Sequence, residues 1–135
     1  MRPYFDQRCD TEPHKQILLH GGRELFFITY TKVYNHVNID GFNPDNPSEP
    51  LEEVITFETE KDAEGFCLTV ATMECAIESC YNGKFALGVD GSDTVDITTE
   101  TPLSRTEERL IRARLQQVID LGVLPWLKHV SIEPF

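Results

Sequence analysis

Phe66, Val70, Met73 and Ile77 recur at intervals of three and four residues, and Ala63 and Tyr81 extend the series at either end. In a helix this spacing stacks all six on one side, so the chain needs a core helix near its middle and something to cover its apolar stripe. Thr59 stands where the N-cap belongs, with Asp62 three residues on in a variant of the capping box, and Asn82-Gly83 ends the run. At about 100° per residue, Glu60, Glu64, Glu74 and Glu78 fall along one flank beside Cys67 and Ala71, which predicts a solvated acidic edge.

A second helix is expected after Ser104-Arg105-Thr106-Glu107, a capping box preceded by Pro102. Ile111, Leu115 and Val118 supply its apolar face, and Gly122 followed by Pro125 supplies its stop. Arg105, Arg109 and Arg112 share one side of it. Glu107 and Glu108 interrupt that basic stripe, so it reads as a solvated face and not as a nucleic-acid contact.

The rest of the chain has strand character. Gln16 to His20 and Leu25 to Tyr30 flank Gly21-Gly22 as a hairpin. The pattern continues through Val33, Val37 and Ile39, leaving Tyr30, Lys32, Tyr34, His36 and Asn38 on the wetter parity. Asp40 to Pro50 holds three prolines and several turn formers and reads as a stiff loop. Val54 to Glu58 is a strand, Lys84 to Val89 and Thr94 to Thr98 form a hairpin around Asp90-Gly91-Ser92-Asp93, and Trp126 to Ile132 is a closing strand. The order predicts an α+β fold: one antiparallel or mixed sheet of about 5–7 strands with two long amphipathic helices on one face. With 135 residues, 40% of them hydrophobic, the whole chain reads as one acidic domain that needs neither disulfide nor metal to fold.

Formal charge is −11, and its distribution is uneven. From Asp40 to Glu100 fifteen acidic residues face only Lys61 and Lys84, a net of −13, so the remaining residues sum to +2. Such a field repels phosphates and membrane surfaces and attracts basic proteins. The first ten residues carry charge and lack an apolar run, which predicts a cytoplasmic chain, and the apolar stretches are too short for a bilayer. Cys67, Cys75 and Cys80 lie in one helical pattern and point in different directions, with no CxxC pair, so these three and Cys9 are expected as reduced thiols.

No motif of catalysis or nucleotide binding is present. There is no GxSxG, Gly21-Gly22 lacks the Gly-Lys-Ser/Thr of a phosphate loop, and His14, His20, His36 and His129 lie far apart. Asp90, Asp93 and Asp96 recur every third residue without matching an EF-hand, so they read as turn chemistry with calcium as the sharper alternative. No catalytic residue, cofactor or metal is expected.

By elimination the chain reads as a protein-binding module, an inhibitor that occupies a basic, nucleic-acid-binding surface of a partner such as a nuclease. By size and charge alone it is analogous to immunity proteins and to phage inhibitors of restriction or CRISPR machinery in bacterial defence, some of which mimic DNA. The expected contact residues are Asp45, Glu49, Glu52, Glu53, Glu60, Glu64, Glu74 and Glu78, with Tyr30 and Tyr34 as aromatic anchors. Two alternatives stand beside it: a small hydrolase or isomerase using His36 or a strand carboxylate, and a structural component that self-assembles, as a homodimer for instance, through an uncovered sheet face.

Overall fold

In a computed structural model the chain is described at residues 14–20, 23–41, 49 and 51–134. Strands β1 (His14–His20), β2 (Arg23–Val33), β3 (His36–Gly41) and β4 (Leu51–Thr56) form an antiparallel meander. Helix α1 (Glu60–Glu78) follows, then β5 (Phe85–Gly88), β6 (Thr94–Thr99), helix α2 (Arg105–Asp120) and β7 (His129–Pro134). Strands β5 and β6 pair antiparallel, and β7 joins β6 in parallel after the α2 crossover. The described residues therefore give an α+β fold of seven strands and two helices, divided between a four-stranded and a three-stranded sheet.

Both helices begin where local chemistry places them. Thr59 Oγ1 accepts from the Asp62 amide at 3.1 Å. Ser104 and Glu107 close a reciprocal box, the Ser104 amide donating to Glu107 Oε1 at 2.9 Å and the Glu107 amide to Ser104 Oγ at 3.1 Å. Beyond α2, Gly122 adopts φ +74°, the left-handed conformation that closes a helix at little cost only for glycine. Beyond α1, a Cβ on Gly83 would run into the Tyr81 ring, so a larger residue there would have to displace that buried side chain.

Helix α1 is the centre of the core and not a surface helix. Ala63, Phe66, Cys67, Val70, Ala71, Met73 and Ile77 are all buried. Phe66 packs on Tyr30 of β2 and on Phe57, with ring centroids 6.1 and 5.7 Å apart. Helix α2 buries the narrower face Ile111, Leu115 and Ile119, with Val118 half-buried beside it. Arg112 Nη1 donates to the Val130 carbonyl at 2.8 Å and so ties α2 to β7. One hydrophobic cluster joins buried residues of both sheets and both helices.

Three expectations need correction. The single sheet is two, because the outer edge of β5 meets a side chain where a strand would pair. Lys84, Ala86 and Gly88 face β6, which leaves the Leu87 carbonyl and Val89 amide on the outer edge, and the Tyr30 hydroxyl takes both. Tyr30 is fully buried, not on a wet face. The expected parity ran unbroken from Tyr30 to Ile39, but Tyr34 and Asn35 form a two-residue turn, so even residues of β2 pair with odd residues of β3, as Tyr30 does with Ile39. The inner row is therefore Ile28, Tyr30, Val37 and Ile39. Glu74, expected on a solvated edge, is 4% exposed and engaged within the fold, because the flank it shares with Cys67 and Ala71 is covered too.

Smaller differences concern strand ends. β4 begins before Glu52-Glu53 and ends at Thr56, and the closing strand starts at His129. Trp126 lies before that strand, its indole Nε1 donating to the Asp90 carbonyl at 2.8 Å. The Gly21-Gly22 turn and most of the Asp40 to Pro50 loop lie outside the described residues, as does Cys9. Cys67, Cys75 and Cys80 are present as thiols. Among the described residues no helix is long and apolar enough to cross a membrane.

Candidate functional site

Edge strand β4 carries carboxylates on both faces. Glu52 stands opposite Asp40 and Glu53 opposite Ile39. Both glutamates are exposed, as are Asp40 at the end of β3, Glu49 before β4 and Glu58 after it. The first turn of α1 adds Glu60 and Asp62, acids at the helix end where the backbone dipole favours negative charge. Lys61 is the one exposed base in this stretch from Glu49 to Asp62.

Part of the expected flank is already neutralised. Lys32 points inward from β2, its side chain only 8% exposed, and Nζ lies 3.0 Å from Glu60 Oε1 and 4.0 Å from Glu64 Oε1. This contact pins the N-terminal turn of α1 to the meander, and its single positive charge offsets one of the two carboxylates in the field that a partner would meet. Of the residues expected to touch a partner, Glu49, Glu52, Glu53, Glu78 and Tyr34 are exposed, Glu60 and Glu64 are paired to Lys32, and Tyr30 and Glu74 are inside. Asp45 lies outside the described residues.

A feature the sequence did not signal is a cavity of about 160 Å³ between the two sheets. Ile28, Tyr30, Ile39 and Glu53 of the meander form one wall, and Ala86, Gly88, Asp96 and Thr98 of the β5–β6 hairpin form the other. The register explains the second wall: Ala86 stands opposite Thr98 and Gly88 opposite Asp96, while the alternate residues Leu87, Val95 and Ile97 enter the core. Val89 and Asp90 complete the lining. Tyr30, Val89, Ala86 and Ile39 at the floor are at most 2% exposed, whereas Glu53 and Asp96 stand at the exposed rim.

The polar groups of the floor are committed. The Tyr30 hydroxyl donates to the Leu87 carbonyl at 2.6 Å and accepts from the Val89 amide at 2.8 Å, and its burial pushes ionisation well above the ordinary phenol range. At the rim, burial followed by the charges of Asp90 and Glu133 raises the Asp96 carboxyl above its usual value. Asp90 Oδ1 accepts from the Ser92 amide at 2.8 Å, and Asp93 Oδ1 accepts from Thr94 Oγ1 at 3.0 Å. Asp90 and Asp93 therefore serve the turn, whereas Asp96 stands in β6 at the cavity rim, and among the described residues no group of three or more His, Cys, Asp or Glu side chains is gathered to hold a metal ion.

His36, weighed above as a catalytic base, sits on the outer face of the meander with Nδ1 3.0 Å from Thr56 Oγ1 and does not line the cavity. That outer face also exposes Val33 and Val54, at 45% and 62%. No family model, no curated protein and no solved structure matches this chain.

Proposed function

We propose that the chain is a protein-binding inhibitor that occupies a basic, phosphate-binding surface of a partner with the carboxylates along β4 and the start of α1. The observation that supports this reading is the concentration of exposed acids at Asp40, Glu49, Glu52, Glu53, Glu58 and Asp62, a stretch of sequence in which Lys61 is the one base. A row of carboxylates on a strand edge offers the same charge sign as a nucleic-acid backbone, and it attracts a basic surface over roughly the Debye length of about 8–10 Å. The partner is then a nuclease or another nucleic-acid-binding protein, in the manner of immunity or anti-restriction factors. Tyr34, 75% exposed at the tip of the β2–β3 turn, is the aromatic anchor, and the Asn35 carbonyl beside it accepts from the Phe57 amide at the end of β4 at 2.8 Å.

The test is capture by tagged protein from its host lysate, followed by assay of the captured partner on nucleic acid. The expected result is a basic partner that is released by salt, loses nucleic-acid binding when this chain is added, and escapes the triple variant Glu49→Lys, Glu52→Lys, Glu53→Lys. Capture indifferent to salt and to the triple variant would exclude an electrostatic inhibitor.

A further inference from the structure

We propose that the cavity between the two sheets is a binding site for a small organic ammonium ion, an apolar body the size of a benzene ring carrying one protonated amine. Size sets the first limit. Ligand and cofactor pockets generally run to about 300–1,000 Å³, whereas a cavity of about 150 Å³ is filled by benzene. At about 160 Å³ this one suits a single ring or a short branched chain and is too small for a nucleotide.

Chemistry sets the second. The floor is Ile28, Ile39, Ala86 and Val89, and its hydroxyl, that of Tyr30, is turned to the backbone of β5. An apolar group loses nothing there. At the rim, Glu53 and Asp96 offer charged acceptors, and among the described residues no Lys, Arg or His lines the site. A ligand must donate at that end, and a cation does so with the strongest hydrogen bonds available. An anion meets like charge.

The order of the lining also selects a free amine over a partner's lysine. A lysine side chain entering from another protein would lead with its ammonium, setting the charge on the apolar floor and the methylenes against the carboxylates. A free amine enters ring first and leaves its charge at the rim. The site shares Glu53 with the acidic edge but needs no protein partner, so its test uses the isolated chain and reads the cavity alone.

Titration of ¹⁵N-labelled protein with benzylamine, benzyl alcohol and benzoate compares three probes of one shape and three charges. Benzylamine is expected to shift the amides of Gly88, Val89, Asp90 and Asp96 saturably, to bind about tenfold more tightly than benzyl alcohol, and to leave benzoate without measurable binding. Asp96→Asn and Glu53→Gln should each weaken it several-fold. Gly88→Ala places a methyl 3.5 Å from Ile28 Cδ1, an ordinary contact, so it should fill part of the cavity and weaken benzylamine in a folded protein. Equal affinity for the alcohol and the amine, shifts centred elsewhere, or a Gly88→Ala variant that binds unchanged would each overturn the proposal.

Discussion

The hydroxyl of Tyr30 donates to the carbonyl of Leu87 at 2.6 Å across 57 positions of sequence, and through it one side chain of the meander closes the outer edge of β5. The same oxygen accepts from the Val89 amide at 2.8 Å, so one hydroxyl serves two backbone groups of the β5 edge. An edge strand left open would have to find another strand or water. Here a phenol ends the sheet and forms the floor of the cavity.

Tyr30→Phe keeps the ring against Phe66 and strips both backbone groups of this partner. The expected loss is about 2 kcal/mol, the worth of two buried hydrogen bonds. A denaturant midpoint that falls at unchanged slope would show it, with faster hydrogen exchange at Val89 as a local signature. An unaltered midpoint would mean that the seam is held by packing alone.

Asp96 has a folded-state carboxyl raised by burial and by Asp90 and Glu133. A raised acid binds more protons folded than unfolded, so its contribution to stability falls as pH climbs from the ordinary carboxylate range through the folded value. Asp96→Asn should therefore raise the melting temperature at pH 7, and the gain should shrink to nothing in strong acid, where Asp96 is protonated in both states. Melting curves across pH 2.5 to 7 (roughly the range spanned by carboxylate titration) are the check. A gain that persists in acid would assign the effect to something other than charge.

Ser104 and Glu107 hold the start of α2 by two reciprocal hydrogen bonds. Ser104→Ala removes one and should cost about 1 kcal/mol. Glu107→Gln preserves the geometry and loses only the charge near the helix N-terminus, so a smaller loss is expected. Thermal unfolding of both variants separates the cap from the charge, and equal losses would deny the hydrogen bond its share.

Tyr34 sits at φ +55° with its side chain 75% exposed. A bulky residue in that region carries a strain of about 1–2 kcal/mol, which glycine lacks. Tyr34→Gly should stabilise the isolated chain by about 0.5–1 kcal/mol after the greater freedom of the unfolded glycine is subtracted. If Tyr34 also anchors a partner, the same variant will fold better and bind worse, a split that a calorimeter and a capture assay read separately.

Local chemistry was legible along the chain. Thr59 and Ser104 cap the helices that their spacing announces, Gly122 ends the second, and Asp90 to Asp93 turn the β5–β6 hairpin. Each of these rests on contacts within a few residues, so the sequence by itself determined them, and with them the segregation of negative charge into the middle of the chain. Periodicity also named the apolar stripe of α1, from Phe66 to Ile77, correctly.

What covers each face was decided only by the tertiary structure. Periodicity states which residues share a side, but burial of Glu74 beside Cys67 and Ala71 depends on how many elements surround α1. The two-residue turn at Tyr34-Asn35 inverted the parity of β2 against β3, and because side chains alternate at every residue, that short turn moved Tyr30 from the surface to the core. The division into two sheets, the Lys32 pairing with Glu60 and the cavity under Glu53 and Asp96 all join residues far apart in sequence. Such contacts form only when the whole core closes, so no local pattern along the chain encodes them.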